Sequence, residues 1–193
     1  MKKVMPLFAC LLAFALFCCK NTEEPETPSP ETAVIDTLAT EKANPLSGIV
    51  YREISEIPQL KEYENQAGSM IHTEKDANGN YKYAISQYGN DKNYLLVFQE
   101  LVKEADNPKT KYKILDTLNI PKLAIDEHIA ACSCRLNKIG DSEIIAIVKS
   151  QGSDDIEYYE HIIKAWRANT QTHTIVPIED VKGIDCANEG YGI

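Results

Sequence analysis

The sequence predicts a mostly β protein, with α+β as the alternative. The expected architecture is an antiparallel sandwich, partial barrel or meander of about eight strands with one N-terminal helix. Apolar runs of strand length recur at spacings of about 8–15 residues. Turn residues separate these runs, most clearly in Asp76-Ala77-Asn78-Gly79-Asn80. The segment that holds them, residues 48–193, is about 145 residues long, which is short for a β-propeller of four or more blades.

The predicted helix covers residues 55–67. Its apolar residues Ile57, Leu60 and Tyr63 follow one another at intervals of three, as on one face of a helix. Pro58 falls in the first turn, where a missing backbone N–H does no harm. This segment is therefore expected to pack as a helix on the sheet.

Strands are predicted at 49–51, 70–74, 81–88, 93–102, 111–120, 128–136, 144–148, about 158–168 and 173–178. The run 144–148 is continuously apolar, which is typical of a central strand covered on both faces. The run 156–168 fits a helix or a long strand, and the hairpin-like pattern after it favours the strand. The tail 183–193 is expected to be coil.

The start of the chain has the features of an export signal. Lys2 and Lys3 precede an apolar run from Val4 to Phe17, which is shorter than the roughly 20 residues of a transmembrane helix. The run ends in Leu16-Phe17-Cys18-Cys19, which resembles the lipobox of a bacterial lipoprotein signal, with Leu three residues before the lipidated Cys. The resemblance implies that residues 1–18 are removed and that Cys19 carries the lipid. Cys18 is the alternative, with a poorer fit.

The segment after the signal, residues 19–47, is predicted to be a flexible tether. It holds four of the nine prolines and more acidic than basic residues, a composition that buries too little apolar surface to fold. Its first residues, Lys20-Asn21-Thr22-Glu23-Glu24, resemble the surface-export signal of Bacteroidota-type lipoproteins. The expected location is the cell envelope, on the periplasmic or the surface face of the outer membrane.

Three cysteines lie in the domain: Cys132, Cys134 and Cys186. Disulfides persist outside the cytosol. Cys132 and Cys134 are two apart on a predicted strand, so they are expected to face the same side and are poorly placed to bond each other. We expect Cys186 to pair with Cys134, with Cys132 as the alternative partner. A metal site formed by these cysteines and His128 is the less favoured reading, since the spacing is not that of a zinc knuckle.

The remaining sequence features mainly exclude classes of function. The net charge of −9 disfavours nucleic-acid binding. The histidines are scattered, no nucleophile or phosphate-loop motif is present, and Asp76 to Gln87 departs from a calcium loop at its strict positions. The ten tyrosines suit half-buried sheet positions, or a platform for a protein or glycan partner.

The sequence therefore predicts a lipid-anchored cell-envelope protein with a non-catalytic binding domain. Its partners would be the membrane, through the lipid, and a protein or glycan. No cofactor or metal is expected. The alternatives are an envelope hydrolase and an accessory subunit of an envelope complex.

Overall fold

This computed structural model describes residues 44–104, 107–150 and 155–191, all within one compact unit, Glu41–Ile193. In chain order its strands are β1 (Val50–Tyr51), β2 (Glu64–Lys75), β3 (Tyr81–Gly89), β4 (Asn93–Glu104), β5 (Asn107–Pro121), β6 (Glu127–Ala131), β7 (Cys134–Leu136), β8 (Ile139–Gly140), β9 (Ile144–Lys149), β10 (Tyr158–Tyr159), β11 (Ile162–Asn169), β12 (Thr174–Ile178) and β13 (Ile184–Ala187). They form three antiparallel sheets: sheet A (β1-β5-β4-β3-β2), sheet B (β12-β11-β9-β6) and sheet C (β10-β13-β7-β8). The predicted mostly β, antiparallel fold class is confirmed.

The helix predicted over 55–67 is wrong. The structure has two 3-10 turns there, Ile54–Glu56 and Pro58–Leu60, and then the start of β2. The apolar spacing of three that suggested an α-helix fits this tighter turn equally well. Ile54, Ile57 and Leu60 are buried against the outer face of sheet A, so the pattern correctly marked the buried side chains.

Sheet B is the central layer of the domain. Ile145 and Ile147 of β9 belong to a core shared with Phe98 and other residues of sheet A. The alternate side chains of β9, those of Ile144, Ala146 and Val148, belong to a second core with Cys134 and Cys186 of sheet C. Successive side chains of a strand point to opposite faces, so β9 is buried on both, as its apolar run predicted.

Asp185 of β13 fixes sheet C through an ion-pair network. Its carboxylate is 2.6 Å from Arg135 Nε and 2.6 Å from Lys138 Nζ, and its side chain is 3% exposed. Burial alone raises the pKa of Asp185, but the hydrogen bonds from these two cations outweigh it and hold the pKa below its usual value. The carboxylate thus stays ionised inside the sheet.

Three strand predictions need correction. The strand predicted at about 158–168 is interrupted at residues 160–161, so that β10 lies in sheet C and β11 in sheet B. The strand predicted over 128–136 is broken after Ala131, because Cys132 adopts a left-handed backbone with φ of 63°. The tail predicted as coil contains β13, which pairs with both β7 and β10. A strand of four residues carries little periodicity, so tertiary pairing rather than local pattern determines it.

One lateral side of the A/B sandwich is closed by Asp116 of β5. Its Oδ2 accepts a 2.7 Å hydrogen bond from the backbone N–H of Ile175, on β12. Its Oδ1 accepts one from the Asn44 side-chain amide at 2.9 Å. The predicted signal peptide, Cys19 and residues 20–43 of the predicted tether lie outside the described residues. No helix within the described ranges is long and apolar enough to cross a membrane.

Candidate binding groove

A groove of about 330 Å³ opens on the other lateral side of the A/B sandwich. The groove has three walls. Residues 67–69 of β2 form the first and residues 128–131 of β6 form the second. The third wall is the segment 187–190, which begins at the last residue of β13. We call this feature the β2/β6 groove. It lies between two sheet edges, because β2 is the last strand of sheet A and β6 is the last strand of sheet B.

The backbone of β6 presents hydrogen-bonding groups to the groove. Cys132 N–H donates to the Ile144 carbonyl at 3.2 Å, and Asp126, six residues earlier, accepts from Ser150 N–H at 2.7 Å. In an antiparallel pair, the backbone N–H and C=O groups of every second residue bond to the neighbouring strand. The backbone groups of the even-numbered residues of β6 therefore point toward β9. The N–H and C=O groups of Ile129 and Ala131 therefore point away from β9, toward the groove.

The groove is closed at one end. The Cys132 thiol lies 3.8 Å from the Ser69 carbonyl oxygen, which ties the end of β6 to β2. Beyond this contact, His72 N–H donates to Ser142 Oγ at 2.8 Å. We call the opposite end of the groove, at Ala67 and His128, its open end, because no hydrogen bond joins β2 to β6 there among the described residues.

The open end carries the groove's titratable groups. The His128 ring packs edge-on against Tyr159, with ring centroids 4.7 Å apart. Burial lowers the pKa of His128, and the nearby Glu189 carboxylate partly opposes this effect. At neutral pH His128 is therefore uncharged. The remaining polar side chains of the lining include Ser133 and Ser150.

Cys134 and Cys186 form the disulfide that the sequence favoured, with sulfur atoms 2.09 Å apart. They are direct partners on neighbouring strands β7 and β13, and both are buried. The bond fixes the strand that leads directly into residues 187–190. It thus holds one wall of the groove in place.

Cys132 does not share a face with Cys134, contrary to the sequence expectation. The left-handed backbone at Cys132 turns its side chain to the A/B core, whereas Cys134 lies in the B/C core. Burial raises the pKa of the Cys132 thiol to about 12. The alternative metal site is not formed: two of its cysteines are bonded to each other, and no cluster of three or more His, Cys, Asp or Glu that could hold a metal occurs in the part of the chain that the structure describes.

The tyrosines are distributed over separate contacts. Tyr51 packs against Tyr112 on the outer face of sheet A, Tyr83 against Phe98 in the A/B core, and Tyr159 against His128 at the groove. They do not join in one platform. The loop that starts at Asp76 is a hairpin turn. The Asp76 carboxylate accepts hydrogen bonds from the backbone N–H groups of Asn78 and Asn80.

Comparison with known proteins provides no relative: no protein-family model, curated protein or solved structure matches this chain. The sequence did not predict the groove. Its strand walls consist of residues such as Ala67, Gly68, Ala130 and Ala131, which carry no chemical signature. The one available signal was the concentration of small residues on two strands, which brings a backbone within reach of another chain.

Proposed function

We propose that this chain is a lipid-anchored cell-envelope protein whose β domain binds a partner, without catalysis, in the β2/β6 groove. The observation that carries the proposal is the groove itself: a half-polar cavity between two sheet edges. Its volume of about 330 Å³ lies at the lower end of ligand pockets, which span about 300–1,000 Å³.

Three features support the envelope location. The lipobox-like Leu16-Phe17-Cys18-Cys19 provides an attachment point. The buried Cys134–Cys186 disulfide suits an oxidising compartment. The net charge of −9 on the whole chain disfavours binding to anionic surfaces, so a lipid rather than charge would hold the protein at the membrane. The proposed site is the outer membrane, with the domain on its periplasmic or surface face.

Lipid attachment is tested by labelling cells with radioactive palmitate. We expect label in the wild-type chain and in Cys18→Ala, and loss of label in Cys19→Ala. Label that persists in Cys19→Ala and disappears in Cys18→Ala would move the anchor to Cys18. An unlabelled wild-type chain would remove the anchor from the proposal.

Binding is tested by pull-down from solubilised membranes with a groove-blocked variant. Ile71 faces the A/B core. Ala67 lies four residues before it, and the pairing of β2 with β3 is uninterrupted between these two residues, so Ala67 faces the same side and lines the groove. Ala67→Trp fills the groove from an exposed position. Met70→Trp places the same ring on the opposite face of β2 and is the matched control. We expect the partner to be lost with Ala67→Trp alone. Retention by both variants would refute the groove as the binding site.

An envelope hydrolase is the second candidate, because the groove brings together His128, Ser133, Ser150 and Glu189. Binding is favoured because, among the described residues, no hydrogen bond joins His128 to either serine, and a nucleophile needs such a base. Labelling with a fluorophosphonate probe decides between them. Label that is lost in Ser133→Ala or Ser150→Ala would establish the hydrolase, and an unlabelled protein supports binding. A fixed stoichiometry on co-purification would instead indicate an accessory subunit.

A further inference from the structure

We infer that the ligand of the β2/β6 groove is an extended peptide segment of another protein, which adds to the edge of β6 as a further strand of sheet B. This inference rests on the proposed function, since it specifies the occupant of the same groove. Three observations carry it: the orientation of the β6 backbone, the size of the side chains around it and the charge at the open end.

The first observation is an exposed backbone ladder. β6 is five residues long, which corresponds to an edge of about 16 Å. Ile129 and Ala131 direct two N–H and two C=O groups toward the groove, at the spacing of an antiparallel or parallel partner strand. Within the described part of the chain, no backbone hydrogen bond joins β6 to β2. A strand edge of this kind is recognised by another extended backbone.

The second observation concerns the opposite wall. Ala67 and Ser69 of β2 face the groove with small side chains, and Gly68 between them has none. A guest strand beside β6 would therefore have room for small side chains directed between the sheets. Larger side chains would point the other way, since successive residues alternate. The expected guest has small apolar residues at every second position.

The third observation is charge. Glu189 lies at the open end and carries the single full charge among the described lining residues at neutral pH, because His128 is uncharged there. The whole chain is also acidic, with a net charge of −9. A guest with Lys or Arg at the residue that reaches Glu189 would complement it. The occupant is thus a short extended segment, small and apolar on one face and basic at one end.

The test starts with a displayed library of random ten-residue peptides, selected on the full chain and counter-selected on Ala67→Trp. Enriched peptides are resynthesised with one backbone nitrogen methylated at a time. We expect affinity to fall at least tenfold for methylation at every second position and to change little at the positions between. Met70→Trp should bind as the wild type does, and Glu189→Gln should weaken binding by about threefold to tenfold.

Amide hydrogen exchange provides an internal control. On peptide binding, the N–H groups of Ile129 and Ala131 should exchange at least tenfold more slowly. Those of His128 and Ala130 already face β9 and should change little. Unchanged exchange at Ile129 and Ala131, a methylation scan without a period of two, or a library that yields no peptide sensitive to Ala67→Trp would overturn the inference.

The two proposals fail separately. A membrane partner that is lost with Ala67→Trp, but that binds without protecting Ile129 and Ala131, would keep the groove as the binding site and reject strand addition. A partner indifferent to Ala67→Trp would reject the groove itself.

Discussion

Removing the Cys134–Cys186 disulfide should destabilise the domain substantially. The two cysteines are separated by 52 positions in the chain. A cross-link of that span lowers the entropy of the unfolded chain by about 14 cal/mol/K on the loop-closure relation, which corresponds to about 4 kcal/mol at 25 °C. Both side chains are fully buried, so the Cys134→Ala/Cys186→Ala double variant also loses some core packing.

The assays are urea unfolding and thermal unfolding of the wild type and the double variant, each with and without a reducing agent. We expect the free energy of unfolding to fall by about 4 kcal/mol and the melting temperature by about 8–16 °C for a domain of this size. Reduction should destabilise the wild type by a similar amount and leave the double variant unchanged. Cys132→Ala keeps the bond and is the control, which should remain sensitive to reduction.

Two outcomes would refute this reasoning. A double variant within about 1 kcal/mol of the wild type would mean that the unfolded chain is already constrained, or that the bond strains the native state. Mass mapping that finds Cys132 rather than Cys134 bonded to Cys186 would reject the pairing.

Three further perturbations test other parts of the structure. Asp185→Asn removes a buried carboxylate that accepts hydrogen bonds from Arg135 and Lys138, and should cost about 2–3 kcal/mol at pH 7 in urea unfolding; a loss below about 0.5 kcal/mol would show that the network contributes little. The lowered pKa of His128 means that the unfolded chain binds this proton more readily, so stability should fall as pH drops below about 6.5. In His128→Gln that loss between pH 7.5 and 5.5 should shrink, and an unchanged pH dependence would contradict the argument. Gly183 has φ of +81°, and an added Cβ would clash with the Asn137 side chain, so Gly183→Ala should cost about 1–2 kcal/mol, whereas Gly140→Ala, which meets no neighbour, should not.

Strong local patterns predicted the strands well. The hairpin around Asp76 to Asn80 and the doubly buried strand 144–148 appear where the sequence placed them. Turn chemistry and continuous apolar runs depend on neighbouring residues, so they can be read without knowing the partner strand.

The sequence predictions that proved wrong concern segments whose conformation is determined by contacts with distant parts of the chain. The 3-10 turns at 54–60 have the same apolar spacing as an α-helix. They differ from a helix in that each is only three residues long and that the chain then enters β2 of sheet A. The break at Cys132 requires a left-handed residue that the composition does not signal. β13 exists because β7 and β10 lie on either side of it. The groove was not predictable for the same reason, since β2 and β6 are far apart in the chain and neighbours only in the folded sandwich.

The position of β13 has a consequence for biosynthesis. It follows the other three strands of sheet C in the described part of the chain but is an inner strand of that sheet, between β10 and β7. Sheet C therefore cannot close until β13 has been synthesised, and until then Cys134 has no native partner. An oxidant that acts earlier finds Cys132 two residues away, and a bond between these two must later be exchanged by attack of the Cys186 thiolate. Formation of the native disulfide should thus wait for the synthesis of β13 and for any such thiol exchange.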